Sequence, residues 1–532
     1  MMSELARHLA SVTTTTAGQL DSQFLWIPIL AGFAMVFMAW GIGANDVANA
    51  FATSYGAGSL NIKQIVVVAT FCEFGGALLL GSAVSETIRK GIVNIDSFPG
   101  DDGRLTIMTG MLASLLAGAF WLALASRYGL PVSTTHTIVG SVVGFVCVAK
   151  GYDAVTWSKV LKIVLSWVVS PMLSLAIAGT LWFFTKHFVY SKPAAGTTEI
   201  DTALRVRRAR LAIPPLTFLT FTICVMFMVY KGGPALKLKS MSVSTAIGWG
   251  AVFGAGFSVL AHFGINHKIA QWTKESEDEF AAAAEEGDDA APVTTGAVVK
   301  NAELDSALEK AVAVGAVALA APAAAADVGA PAPAAAAAAA ADEEPKHPAK
   351  RDEHGKKLSA NALLLERMFR PLNILTAAFE SFAHGANDVA NAIGPFNAVI
   401  AAYNEPLAKK TDMPLWILGV GGFGIVIGLH TYGINVMRTL GRDITYVTPA
   451  RAFCIELGAT FTILLATNMG MPVSTTHASV GAVIGIGLVD NWRAVKWNTM
   501  GKVFTSWIIT LPIAAFVTAA LFGFLKPTVV QM

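Results

Sequence analysis

Two peptides occur twice in this chain, in the same order: GANDVANA at Gly43 to Ala50 and Gly385 to Ala392, and PVSTTH at Pro131 to His136 and Pro472 to His477. From Asp46 to Pro131 is 85 residues and from Asp388 to Pro472 is 84, so each half carries one copy of a common architecture. A repeat at matched spacing is an internal duplication. Both peptides are polar, yet both interrupt strongly apolar sequence. In a bilayer that combination marks backbone lining a cavity rather than facing lipid. A pathway for a solute is the first expectation.

Hydrophobic residues make up 54% of the chain and charged ones 14%, which excludes an ordinary soluble globule. An all-α polytopic membrane protein is expected. A span needs roughly 20 apolar residues, and about twelve stretches qualify or come close: 24–42, 62–82, 105–126, 137–149, 160–187, 213–230, 241–262, 372–394, 414–432, 447–468, 477–489 and 500–525. The stretches after His136 and His477 are short. Each follows PVSTTH, so broken or re-entrant helices are expected there. Residues 1–22 are polar and lack the pattern of a cleaved signal peptide. Cys72, Cys147, Cys224 and Cys454 lie in apolar sequence without metal-ligand or disulfide spacing, and read as small buried side chains. A net charge of +2 points to no nucleic-acid partner.

The organisation reads as an N-terminal tail (1–23), a first transmembrane repeat (24–190), a connecting basic loop with two further spans (191–265), an Ala-rich loop (266–371) and a second repeat (372–526). The loop opens acidic, turns Ala-rich with Pro322, Pro331 and Pro333, and closes on ADEEPKHPAKRDEHGKK. Alanine is too weakly apolar, and proline too disruptive, for a span there, so a disordered linker is expected. The basic run Arg205 to Arg210 lies two spans earlier, hence on the same face. Lys and Arg accumulate on the cytoplasmic side, which places the linker in the cytoplasm and both termini outside. An odd number of crossings between Asp46 and Asp388 makes the repeats inverted.

Asp46 and Asp388 are carboxylates in apolar surroundings, where an unpaired charge costs on the order of 3 kcal/mol or more. Each needs a partner. A neighbouring amide or helix end would serve; so would a cation, with Asn45, Asn49, Asn387 and Asn391 adding neutral oxygens, a set suited to Na⁺. Duplication favours the cation. Gly43 and Gly385 let helices approach closely. In PVSTTH, the proline favours a helix start, and Ser133, Thr134, Ser474 and Thr475 are natural caps. A helix N-terminus attracts anions, so two of them facing each other would offer hydroxyl and N–H donors to a tetrahedral oxyanion; the competing use of those hydroxyls is a bond back to their own helix. His136 and His477 read as helix-start hydrogen-bonders rather than metal ligands, since no other His or Cys stands at ligand spacing. Glu73, Glu380 and Glu456 are further intramembrane carboxylates, and Arg451 is the expected neutralising partner of Glu456.

The motif pair, together with SETIRKGIV and FCIELGATFTILLATNMGMPVSTTH, resembles the inorganic phosphate transporter family of PiT type over both repeats, about 24–187 and 372–525. The resemblance implies a cation-coupled phosphate symporter with inverted repeats, alternating access and a large cytoplasmic loop. Na⁺ is the implied coupling ion, with H⁺ as the alternative, and the plasma membrane the implied location. No cofactor is implied. The partners are inorganic phosphate, Na⁺ and the lipid bilayer, and a homodimer is admitted. Carried over by position, the site falls on Asn45, Asp46, Asn387 and Asp388 with Ser133, Thr134, Thr135, Ser474, Thr475 and Thr476, while Glu73 and Glu456 match acidic positions the family needs for transport. Competing expectations are a proton-coupled phosphate or sulfate carrier and, with little support, a membrane enzyme using His136 and Ser133; the chain lacks a Gly-rich phosphate loop or clustered metal ligands, so it is expected not to be an enzyme.

Overall fold

A computed structural model describes residues 19–191, 198–231, 240–285, 359–407, 413–433, 437, 447–493 and 495–530. Among these the regular structure is helical, with one isolated bridge between Val93 and Val155. The first repeat comprises α1 (Trp26–Asn45), α2 (Val47–Gly56), α3 (Ile62–Gly91), α4 (Gly100–Arg127), α5 (Thr134–Lys150) and α6 (Trp157–Val189). Two helices follow, α7 (Thr198–Tyr230) and α8 (Val243–Glu285). The second repeat comprises α9 (Ala360–Asn404), α10 (Leu415–Gly428), which ends in a π turn over Leu429–Gly433, α11 (Pro449–Asn468), α12 (Thr475–Asn491) and α13 (Trp497–Val530). Each expected apolar stretch coincides with a helix. Among the described residues nine segments are long and apolar enough to span a bilayer; α9, expected to span over 372–394, is not one of them because its polar motif lowers its apolarity, and α5 and α12, at 17 residues each, fall short.

Local chemistry sets the helix ends. Asn61 and Gln64 form a reciprocal capping box at the start of α3, satisfying two otherwise orphaned groups. Thr448 caps α11, whose first residue is Pro449. The two PVSTTH motifs are the turns of helical hairpins, α4–α5 and α11–α12. In each, a glycine just past the first arm takes the left-handed conformation, Gly129 at φ 63° and Gly470 at φ 66°, a position where a Cβ would be strained. The proline that follows cannot continue a helix, and Ser133 or Ser474 then caps the returning arm by accepting the N–H of His136 or His477.

The repeats are interleaved. Helix α1 packs on α4 and on α10 of the other repeat; α9 packs on α11 and on α3 of the other repeat. The returning arm α5 lies along α13, and α12 lies along α6. Glycines permit the closest crossings: a Cβ on Gly43 would strike the backbone of Ile425, and one on Gly428 that of Trp40. The same relation holds between Gly385 and Glu73, and between Gly76 and Phe382. The two crossings are built alike, each from a glycine of one repeat set against backbone of the other and the reverse. Outward faces are apolar, with Trp249, Phe253, Phe263, Ile508, Phe516 and Phe524 exposed, as lipid contact requires.

The structure narrows the loop expected over 266–371. Helix α8 continues to Glu285 and α9 begins at Ala360, because their polar ends pair with each other: Arg367 on α9 bonds both Glu275 and Glu279 on α8. Residues 286–358, including the Ala-rich tract, lie outside the described residues.

Candidate functional site

Asp46 sits at the single-residue break between α1 and α2, and Asp388 lies inside α9. Both are 1% exposed. One carboxylate oxygen from each, together with a ring nitrogen of His384, falls in a cluster whose atoms all lie within 4.8 Å of one another. Asp46 Oδ2 and Asp388 Oδ1 accept no hydrogen bond, and neither does Asn391 Oδ1. Buried oxygens without donors are rare in folded proteins. The cluster thus offers two carboxylates beside a histidine, with open oxygens on both aspartates and on Asn391 of the same motif, donors of the kind a hard cation takes.

The hairpin tips close around this point. Thr475 donates to Asp388 Oδ2 at 2.6 Å, and Thr476 to Asp46 Oδ1 at 3.4 Å. Asn49 donates to Thr476 Oγ1 at 2.8 Å; Asn391 donates to Thr134 Oγ1 at 3.1 Å and to Thr135 Oγ1 at 3.5 Å. Thr135 in turn donates to the Val473 carbonyl at 2.9 Å. Every hydroxyl of Ser133, Thr134, Thr135, Ser474, Thr475 and Thr476 belongs to a residue at most 3% exposed. The first N–H groups of α5 and α12 have no acceptor within their own helices, so two positive helix ends meet beside the aspartates.

Asn45 and Asn387 bond to the hairpin turns of their own repeats. Asn45 donates to Ser126 Oγ and the Leu130 carbonyl and accepts the Val132 N–H; Asn387 repeats this with Thr467, Met471 and Val473. Each tethers the hairpin turn of its own repeat to the aspartate that follows it. The histidines of PVSTTH lie behind the cradle. His136 stacks on Trp167 at 3.6 Å between ring centroids, His477 on Trp507 at 3.7 Å, and the two imidazoles meet at 4.7 Å. Ser133 Oγ lies 2.6 Å from His136 Nδ1, and the Trp167 carbonyl 3.0 Å from His477 Nδ1. They bond at the helix starts, as expected, and also form the contact between the two tips.

The accessory carboxylates have partners that sequence reading missed. Glu73 on α3 is bonded by Ser381 at 2.8 Å and lies 2.7 Å from His384 Nδ1; His384 Nε2 lies 3.0 Å from Asp388 Oδ2. His384 therefore stands between Glu73, to which it is hydrogen-bonded, and the central aspartate, which lies within ion-pair distance of its other ring nitrogen. It stands four residues before Asp388, on the same helix face, which is the signal that could have found it. Glu456 is not paired with Arg451. It accepts from Thr53, Ser54, Thr376 and Asn373 at 2.6 to 2.7 Å, while Arg451 pairs with Asp490 at 2.7 Å. Five residues on a helix is well over a full turn, so Glu456 faces inward where Arg451 faces the hairpin base. Glu380 accepts from Ser479 at 2.6 Å.

The sequence profile of the phosphate transporter family matches residues 42–518. The chain belongs to that family. Among its relatives, inorganic phosphate transporter 2-1, chloroplastic, of Arabidopsis thaliana is 34% identical over 490 residues, covering 92% of this chain and 70% of the relative. The phosphate-repressible phosphate permease pho-4 of Neurospora crassa is 31% identical, covering 94% of this chain and 97% of the relative. A solved structure described as the sodium-dependent phosphate transporter superposes with a TM-score of 0.69 at 31% identity, covering 94% of this chain and 99% of its own. This chain is a phosphate-transport membrane protein, and not an enzyme.

Proposed function

We propose that the chain is a Na⁺-coupled symporter that imports inorganic phosphate by alternating access, with one central site built from both repeats. The observation that carries this reading is the pair of open carboxylate oxygens, Asp46 Oδ2 and Asp388 Oδ1, set against two facing helix N-termini. Phosphate brings one or two negative charges into a low-dielectric interior and no Arg or Lys stands among the cradle residues. Na⁺ held by Asp46, Asp388, Asn49 and Asn391 supplies the compensating charge, with the second lone pairs of the Asn45 and Asn387 amide oxygens within the same motifs. Hydroxyls of Ser133, Thr134, Thr135, Ser474, Thr475 and Thr476, with the helix-end N–H groups, hold the anion. Ion and substrate then stabilise each other, which is coupling.

The hairpin geometry supports an inverted pair. Tips that meet at the centre of α1–α2 and α9 mean that the two arms of each hairpin approach from one face, and each hairpin removes an even number of crossings. The parity is unchanged: the linker stays opposite the N-terminus and on the side of Arg205 to Arg210, which we assign to the cytoplasm, with both termini outside. We place the protein in the plasma membrane; a chloroplast location, as in the name of the Arabidopsis relative, is the alternative that a fluorescent fusion distinguishes.

The second reading is proton coupling, favoured by His384, whose imidazolium form could donate to Glu73 and Asp388 at once. Uptake of labelled phosphate into liposomes holding the purified protein separates the two. An inward Na⁺ gradient drives uptake if the proposal holds, and Asp46→Asn and Asp388→Asn each abolish it while the protein stays inserted. Uptake driven by a pH gradient and indifferent to Na⁺ overturns it in favour of the proton.

A further inference from the structure

The anion cradle obeys the pseudo-two-fold, but the accessory carboxylates break it. On α9 a row of polar side chains runs from the Ala360 end to the centre: Asn373, Thr376, Glu380, His384 and Asp388. Their spacings of three and four place them on one helix face, over about 22 Å of axis at 1.5 Å per residue. All are at most 2% exposed. At the same distances before Asp46 on α1 stand Ala31, Ala34, Met38 and Ile42, all buried. The partners follow the same rule. Glu73 has Ile425 as its counterpart across the paired glycine crossings. Glu456 aligns with Ser114 when counted from the aspartates and with Leu115 when counted from the prolines, and Ser479 with Ile138. One half of the molecule carries carboxylates where the other has uncharged side chains.

Within the row, oxygens are left without donors at intervals: Asn373 Oδ1, Glu380 Oε2 and Asp388 Oδ1, continuing to Asp46 Oδ2 and Asn391 Oδ1. Glu380 stands four residues from Thr376 and four from His384 along the row, within electrostatic reach of Glu456, His384 and Glu73. Its one bonded oxygen is held by Ser479 of α12, the arm that carries the cradle threonines.

The geometry points to a one-sided cation path along α9, with Glu380 as an intermediate station for a monovalent cation between the central site and the Ala360 end of the helix. This rests on the cation-coupled reading above. An unpaired carboxylate oxygen is costly inside a membrane protein and is relieved when a cation binds it. The open oxygens stand about 10–12 Å apart along the axis at 1.5 Å per residue, with the side chains of Thr376 and His384 between them, so the row is polar throughout. The aliphatic counterpart on α1 offers no such route, so inverted repeats that share one cradle are given different cation access on their two faces. The link to Ser479 ties occupancy of the station to the position of the hairpin.

The test uses the full chain in liposomes. Glu380→Gln keeps the shape and removes the charge; Glu380→Met installs the residue that the first repeat has in that place. Both should raise the half-saturating Na⁺ for phosphate uptake roughly tenfold, the usual scale for losing a supporting ligand, with phosphate affinity at saturating Na⁺ unchanged. A Na⁺ jump without phosphate, recorded as charge movement on a supported membrane, should give a signal in the wild type that Glu380→Met loses. Wild-type Na⁺ dependence in Glu380→Gln, or an intact charge movement in either variant, overturns the path. Lack of phosphate uptake by the wild-type protein would sink the symport reading instead, while the Na⁺-jump record still decides the path.

Discussion

Asn49 of the first repeat donates a hydrogen bond to Thr476 of the second across 2.8 Å. Its counterpart Asn391 reaches back to the first repeat, donating to Thr135, the equivalent of Thr476, at 3.5 Å and to the neighbouring Thr134 at 3.1 Å. Each aspartate motif is thus bonded to the hydroxyl motif of the other repeat, and neither repeat can build the site alone. The tethers of Asn45 and Asn387, by contrast, stay within a repeat. The site is held by an inner pair of bonds that fix each hairpin and an outer pair that join the two.

The Asn49–Thr476 bond should be measurable as a coupling. Asn49→Ala and Thr476→Val each leave a buried group without its partner, so each weakens phosphate binding; together they should cost about 1 kcal/mol less than the sum of the two. A double-mutant cycle on phosphate affinity checks this. Strict additivity would mean that the two residues act separately.

Gly43→Ala and Gly385→Ala should lower thermal stability by about 1–3 kcal/mol each, since the new methyl meets backbone of Ile425 or Glu73, which has no rotamer to yield. Gly248, whose Cβ would meet nothing within 4 Å, is the control: Gly248→Ala should be neutral or slightly stabilising. Melting in detergent by intrinsic fluorescence distinguishes them, and equal effects at all three positions would refute the close-crossing account.

The duplicated motifs make the cradle legible in the sequence, because polar peptides within apolar stretches have few uses in a bilayer. Asp46, Asp388, Thr134 and Thr475 come from four distant stretches, and the repeat alone is enough to group them. Pairing across repeats is not legible in this way. Glu73 and His384 stand 311 positions apart, and nothing local joins them. The Arg451–Glu456 pairing fails for a geometric reason: nearness along a helix is not nearness around it. The helical flanks of the linker are hidden because Glu275 and Glu279 read as an acidic run until Arg367 is seen opposite them. The role of Asn45 and Asn387 as tethers depends on the turn that brings Val132 and Val473 to their amides, which no spacing rule gives.

Asp490 joins the base of the second hairpin to α6, accepting from Arg451 at 2.7 Å, Lys186 at 2.8 Å and Trp182 Nε1 at 2.8 Å. Asp490→Ala removes a carboxylate shared by two cations at a partly exposed site, where solvent screens part of the loss. A stability loss of about 1–2 kcal/mol is expected, with phosphate affinity preserved. A thermal melt beside a binding titration checks both halves, and a weakened affinity without destabilisation would contradict the structural role.

Phosphate near neutral pH carries a proton that sulfate lacks, so a carboxylate oxygen facing the anion accepts a hydrogen bond from phosphate and repels sulfate. Asp46 and Asp388 each keep an oxygen without a protein donor, which would act as this filter when it meets the anion beside the bound cation. Arsenate, which is also protonated, should inhibit phosphate uptake well and sulfate poorly. Equal inhibition by the two would leave the helix ends as an unselective oxyanion cradle.

The central claim is that Na⁺ and phosphate occupy one shared site between Asp46 and Asp388, and linkage makes it measurable: whatever Na⁺ does to phosphate affinity, phosphate must do to Na⁺ affinity. The direct measurement is the dissociation constant for phosphate of the purified protein, titrated calorimetrically with Na⁺ absent and with Na⁺ saturating. Saturating Na⁺ should tighten phosphate binding by roughly tenfold or more, and Asp388→Asn should erase that difference. The same phosphate affinity with and without Na⁺ in the wild-type protein would contradict the account.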